Sequence, residues 1–194
     1  MTKYFIEIGT SDFDTLIPLA KKGWKGIFVE PVTYLLDNLE KIDGCVYENA
    51  AITNYNGETT INYDPNPEFE WQRGVGYVTR NKDGFMPLPS EASNPSNHFW
   101  DNKFNNITKN KVPCMTLDAL IDKHNVKHID FLKIDIEGME YVILDTYSWK
   151  VKPKLIKVEV AHWRKRILGH IQSKLATLGY LVYKEKSDWY CILA

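Results

Sequence analysis

A chain of 194 residues falls within the size of one ordinary domain and can bury a core without disulfide staples or a structural metal. With 44% hydrophobic and 25% charged residues it sits near the globular norm, not among disordered or membrane-embedded chains. A formal net charge of −1 excludes a global field that would draw nucleic acid, an anionic membrane surface or an acidic polymer.

The predicted elements begin with Tyr4 to Ile8, a short buried strand ended by Gly9. A helix over residues 14–22 follows, with Pro18 tolerated only in its first turn and Gly23 as the stop. Residues 25–30 form a second strand closed by Pro31. Tyr34 to Lys41 form a helix with Leu35, Leu36, Leu39 and Ile42 on one side. Residues 45–52 read as a third strand, and Asn56-Gly57 as a hairpin turn before 59–63.

From 64 to about 113 periodicity is lost. Prolines stand at 65, 67, 87, 89, 95 and 113, among Phe69, Trp71, Phe85, Phe99, Trp100 and Phe104. This stretch is expected to be an irregular insertion that caps a site, because disordered segments are poor in aromatics. Order returns with a helix capped near Thr116 and running to Lys123. Residues 129–136 form a strand, Glu140 to Tyr147 a helix, 154–160 a strand and Arg166 to Leu178 a helix. Two strands over 180–183 and 189–193 close the chain as an antiparallel pair. The fold class is therefore α/β: a Rossmann-like, mostly parallel seven-stranded sheet in one domain over 1–194, with helices on both faces and an antiparallel edge strand.

Cys45, Cys114 and Cys191 are odd in number and lack CxxC spacing, which argues against a disulfide framework and a Cys-rich zinc site. The N-terminus has no signal-peptide pattern, and no stretch reaches the roughly 18 apolar residues of a membrane span. A cytoplasmic setting without membrane contact is expected. His124 and His128 are four apart but stand where a helix should end, with no third ligand nearby, so no metal site is expected.

Open α/β sheets bind ligands beyond the C-terminal ends of their strands. Those ends carry Glu7-Ile8-Gly9-Thr10-Ser11-Asp12, Glu30, Asn49-Ala50-Ala51, Asp135-Ile136-Glu137-Gly138, and Glu159 with His162. Glu30 is suited to accept hydrogen bonds from a ribose diol. A dinucleotide site needs G-x-G-x-x-G to hold a pyrophosphate, and only Gly9 is present. Asp12 would repel a pyrophosphate, whereas Asp12 and Glu7 would attract the ammonium of a methionine moiety. These features favour S-adenosylmethionine over NAD.

Three segments, 5–12, Phe28-Val29-Glu30-Pro31, and Thr116-Leu117-Asp118-Ala119-Leu120 followed by 129–140, carry a resemblance. The last includes Lys133-Ile134-Asp135-Ile136-Glu137-Gly138-Met139-Glu140, a K-x-D-x-E-G-x-E pattern. The chain resembles the FkbM-type methyltransferase family, S-adenosylmethionine-dependent enzymes associated mainly with O-methylation. The resemblance implies a cofactor site drawn from Glu7, Gly9, Thr10, Ser11, Asp12, Glu30, Asn49, Ala51 and Asp135. Gly9 would let the backbone approach the methionine part. Glu7 and Asp135 would flank its charged ends, and Asn49 and Ala51 would border the adenine. Phe13 stands where the family usually has a second glycine.

A hydroxyl acceptor needs a base, and Asp135, His162 and Glu159 are the candidates; the unperturbed pKa of histidine suits the task best. The expected acceptor is a small molecule or glycan, not nucleic acid. Two alternatives stand beside this reading. One is a catalytically inactive methyltransferase-like binding module, kept open by Phe13. The other is an NAD-dependent sugar-modifying enzyme.

Overall fold

The structure, a computed structural model, describes residues 2–12, 15–68, 72, 74–78, 106–161 and 163–194. β1 (Tyr4–Ile8) and β2 (Lys25–Val29) are buried from their second residue onward, as strands covered on both faces require. Successive side chains alternate, so Phe5 and Phe28 face one side and Ile6, Ile8, Ile27 and Val29 the other. α1 (Ile17–Lys21) and α2 (Thr33–Asn38) pack on the Phe5–Phe28 side through Ala20, Leu36 and Leu39. On the opposite side lie α3 (Leu117–Lys123), α4 (Glu140–Thr146) and α5 (Lys165–Thr177). They bury Leu117, Leu120, Val142, Ile143, Ile171 and Leu175 against the sheet.

β3 (Cys45–Glu48), β8 (Phe131–Ile134), β9 (Leu155–Glu159), β10 (Tyr180–Glu185) and β11 (Asp188–Leu193) complete the main sheet. The order is β10-β11-β9-β8-β1-β2-β3. Five strands, β3 through β9, pair in parallel. β11 runs antiparallel to both β10 and β9. The expected antiparallel edge strand is thus corrected: the reversed strand is the inner one, and the edge strand β10 points with the parallel five. The physical reason is burial. β11 carries Trp189 and Cys191, both buried, whereas β10 carries Leu181 and Tyr183, both exposed. The more apolar strand of the pair takes the covered position.

A second, four-stranded sheet has the order β4-β7-β5-β6. It comprises β4 (Ala51–Ile52), β5 (Gly57–Tyr63), β6 (Gly76–Val78) and β7 (Thr108–Met115). Two expectations are corrected here. Residues 76–78 and 108–113 of the supposed irregular insertion lie in strands. Asn56-Gly57 does not close a hairpin, because β4 pairs in parallel with β7, while β5 pairs with β6 and β7. Asn56 is committed elsewhere: its Oδ1 accepts a hydrogen bond from the Thr116 N–H at 3.0 Å. Val32 and Leu35 pack with Ala51, Ile61, Val112 and Cys114, which fixes the small sheet against the first half of the main one. Phe69, Trp71, Phe85, Phe99, Trp100 and Phe104, the aromatics of the expected cap, lie outside the described residues.

Candidate active site

After β1 the chain builds outward through β2 and β3, then returns to the other side of β1 with β8 and β9. That reversal opens a crevice at the C-terminal strand ends. A cavity occupies it. Its wall includes Gly9, Thr10, Ser11, Glu30, Ala51, Asp135 and Glu159, seven of the residues expected from sequence. Lys133, Ile136 and Glu137 also line it, and Ile61, Val75, Gly76 and Val78 of the small-sheet region supply an apolar side.

The turn after β1 is shaped by packing between strand ends. Gly9 has φ +77°, and a Cβ there would stand 1.8 Å from the Asp135 carbonyl oxygen and 2.8 Å from Ile136 Cγ2. Glycine is therefore dictated by the approach of the β8 end, whatever occupies the cavity. The Gly9 and Thr10 N–H groups both donate to the Val29 carbonyl, at 3.0 and 3.2 Å. Ser11 follows in the left-handed region, at φ 52°. Its N–H donates to Glu30 Oε2 at 3.0 Å, while the Val32 N–H donates to Glu30 Oε1 at 2.9 Å. Burial pushes the Glu30 carboxyl up to about 7, with the two N–H donors pulling the other way and Asp12 and Glu7 adding repulsion. Each Glu30 oxygen keeps a lone pair for a ligand hydroxyl. The Ser11 Oγ is buried without a hydrogen-bond partner among the described residues.

Glu7, Asn49 and Asp12 do not line the cavity. Glu7 is fully buried; its Oε1 accepts from Lys133 Nζ at 3.0 Å and its Oε2 from the Leu16 N–H at 2.9 Å. Glu7 thus ties the loop after β1 to the sheet. The Asn49 side chain donates to the carbonyls of Glu30 and Pro31, at 2.9 and 3.1 Å, and its Oδ1 accepts from Thr33 Oγ1. Asn49 therefore sets the backbone that carries Glu30.

The K-x-D-x-E-G-x-E segment has a structural logic. Lys133 matches Glu7, its register partner across β1 and β8. Glu137 and Gly138 turn through left-handed conformations, at φ 59° and 111°. Glu140 then folds back under the turn. Its carboxylate accepts from the Ile136 N–H at 2.9 Å and the Gly138 N–H at 3.1 Å. The sequence suggested only an acidic first turn favourable to the helix dipole. The signal for the actual role was an acid at the start of α4 within reach of the preceding amides, as in a capping box.

The result is an acidic rim. Asp135, Glu137 and Glu159 each bring a carboxylate oxygen within 4.8 Å of the others, close enough to hold one small cation between them. Burial, then repulsion from Glu159, Glu140 and Asp135, pushes Glu137 up to about 9. Burial, then Asp135, Glu140 and Asp188, pushes Glu159 up to about 8, against an opposing pull from Lys157. His162 and Phe13 lie outside the described residues.

A mixed α/β sheet with an acid-lined cleft where its strand order reverses defines a ligand-binding α/β domain of the kind that holds cofactors. A family model for the methyltransferase FkbM domain matches residues 7–182, and the chain belongs to that family. It is a methyltransferase. No curated protein and no solved structure matches the chain. Among the described residues no helix is long and apolar enough to cross a membrane.

Proposed function

We propose that the protein transfers a methyl group from S-adenosylmethionine to a hydroxyl oxygen of a sugar, glycan or other small molecule, on a Rossmann-like platform. The observation that carries this reading is the convergence of Ser11, Glu30 and Ala51 with Asp135 and Glu159 around one cavity. The donor set fits the cofactor. Glu30 offers lone pairs for ribose hydroxyls, the Ser11 hydroxyl is buried and has no hydrogen-bond partner among the described residues, and Ala51 and Val78 offer apolar contact for a base. Asp135, which lines the same cavity, is the residue assigned to the amino-acid arm in this reading. The cofactor supplies a methyl group on a positively charged sulfur, so the chain's task is chiefly alignment.

The acceptor's proton needs a destination. Glu159, held near 8 and lining the cavity, takes and releases a proton close to neutral pH, and Asp135 beside it is the second candidate base. His162 stands as a base on its sequence position alone. The cysteines are all free, which suits a reducing compartment such as the cytoplasm.

Calorimetry tests the cofactor assignment. S-adenosylmethionine and S-adenosylhomocysteine should both bind at millimolar concentration or below, and NAD should not. Glu30→Ala should weaken S-adenosylmethionine by roughly 1–3 kcal/mol, the range for losing a charged hydrogen-bond partner. Unchanged affinity in that variant would place the adenosine elsewhere. Transfer of labelled methyl to a panel of sugar and phenol hydroxyls would then identify the acceptor.

A further inference from the structure

Three consecutive residues, Asp135, Ile136 and Glu137, supply one wall of the cavity. Their turn is pinned at its start by β1: the Asp135 N–H donates to the Ile8 carbonyl at 3.0 Å, and the Asp135 carbonyl packs against Gly9. β8 ends at Ile134, so the residues that follow stand outside the ladder. Glu137 then takes φ 59°, a conformation unfavourable for any residue that carries a Cβ. Glu140 is placed to hold it there. This acid does not line the cavity, is only 2% exposed, and opens α4, whose Val142, Ile143 and Leu144 are fixed in the core.

One oxygen does most of the holding. Glu140 Oε1 accepts from the Ile136 N–H at 2.9 Å and from the Gly138 N–H at 3.1 Å, and the Gly138 N–H is shared with Oε2 at 3.1 Å. These two amides flank residue 137. With both held, the chain between them has little room to leave the left-handed conformation. The clamp depends on reach more than on charge. Burial pushes the Glu140 carboxyl up, with the Gly138 and Ile136 amides pulling the other way, and a neutral carboxyl still presents an acceptor oxygen.

Resting on the cofactor reading above, we infer that Glu140 is a positioning residue for S-adenosylmethionine: its carboxyl oxygen, reaching back from α4 to the Ile136 and Gly138 amides, presets Asp135 and Glu137 as a wall of the cofactor cavity before the ligand arrives. It acts through those residues and not by touching the ligand. Without the clamp the turn samples other conformations, and apparent affinity falls by the fraction of time the wall is absent. A turn competent about a tenth of the time binds about ten times more weakly.

Calorimetry with S-adenosylmethionine and S-adenosylhomocysteine tests this on the whole chain, well below its thermal transition and with folding checked by circular dichroism. Glu140→Gln keeps an oxygen at the same reach and loses only the shared contact to Gly138, so it should bind within about threefold of wild type. Glu140→Asp keeps the charge one methylene short. It and Glu140→Ala should each bind about tenfold more weakly. The reverse order, with Asp retaining affinity and Gln losing it, overturns the inference. A cycle with Glu137→Gly separates positioning from general stability. Glycine takes the left-handed conformation unaided, so in that background Glu140→Ala should cost about threefold or less. A loss of about tenfold in both backgrounds overturns the inference, as does unchanged affinity in every Glu140 variant, and both leave the cofactor reading intact. Should the Ala and Asp variants not fold, Glu140→Gln decides: affinity kept supports the inference and affinity lost overturns it. Failure of the wild-type protein to bind either ligand takes down the cofactor reading and the inference together.

Discussion

Glu137 lines the cavity in a left-handed conformation, with a carboxyl that prefers to stay protonated. Its ordinary pKa is 4.5 and its folded value about 9, so the folded state holds a proton that the unfolded chain releases between those limits. Stability is unpenalised below about pH 4.5 and falls as pH rises toward 9. Glu137→Gln removes that penalty. Thermal melts should show the variant a few degrees above wild type at pH 8 to 9, roughly 2–4 °C per kcal/mol, and level with it near pH 4. A variant less stable at pH 9 would mean that the ionised carboxylate has a partner. Lys133 and Glu7 behave oppositely, because each needs the other. Lys133→Met removes the ammonium that faces buried Glu7, at an expected cost of about 3–5 kcal/mol in denaturant unfolding, while Lys133→Met with Glu7→Gln should recover much of it. A single variant as stable as the double would show that the pair contributes no coupling. Neither role was readable beforehand. A carboxylate near a strand end looks like a ligand contact, and nothing local to Glu7 reveals a lysine 126 positions later. The hydrogen bonds of Asn49 were hidden in the same way, since its partners are carbonyls 18 and 19 positions back.

Among the helices, α3 is the one whose start was written plainly. Thr116 Oγ1 accepts from the Ala119 N–H at 3.1 Å, and Asp118 stands in the first turn. Thr116→Ala should cost about 1 kcal/mol and lower the melting temperature by roughly 2–4 °C; no change would mean that Asp118 or water satisfies the amide instead. The main strands were equally legible, because β1, β2, β8 and β9 are short apolar runs bounded by Gly, Pro or Asp. The small sheet was not. β7 reads Thr-Lys-Asn-Lys-Val-Pro-Cys-Met, with Lys109 and Lys111 exposed and a proline paired opposite Glu58. Proline and exposed lysines demote a segment to loop in any pattern reading. β4 is two residues long and β6 three, below the length at which alternation means anything. Their pairing is a property of the assembled surface: Ile61, Val112 and Cys114 form a face only when brought onto Val32 and Leu35.

The C-terminal hairpin extends the sheet and completes its core. Trp189 packs edge-on against Trp163 at 5.6 Å between ring centres, and Cys191 is fully buried beside β9. Truncation after Gly179 would strip β9 of its outer neighbour and expose Val158 and Ile156. The shortened chain should lose its cooperative thermal transition and, with it, cofactor binding; a truncated protein that still melts cooperatively would show the five parallel strands to be self-sufficient.

β1 lies at the centre of the five parallel strands, yet one of its two partners, β8, is specified more than a hundred residues downstream. A ribosome therefore delivers β1 first and its second neighbour late. Until residue 134 has emerged, the Phe5–Ile8 backbone presents one open side, with Glu7 lacking its counter-ion. Long-range parallel pairing of this kind is slow and leaves the nascent chain prone to sticking. Biogenesis of this enzyme should accordingly lean on chaperones that shield an apolar strand during synthesis, and yield in heterologous hosts should improve when elongation is slowed by cold.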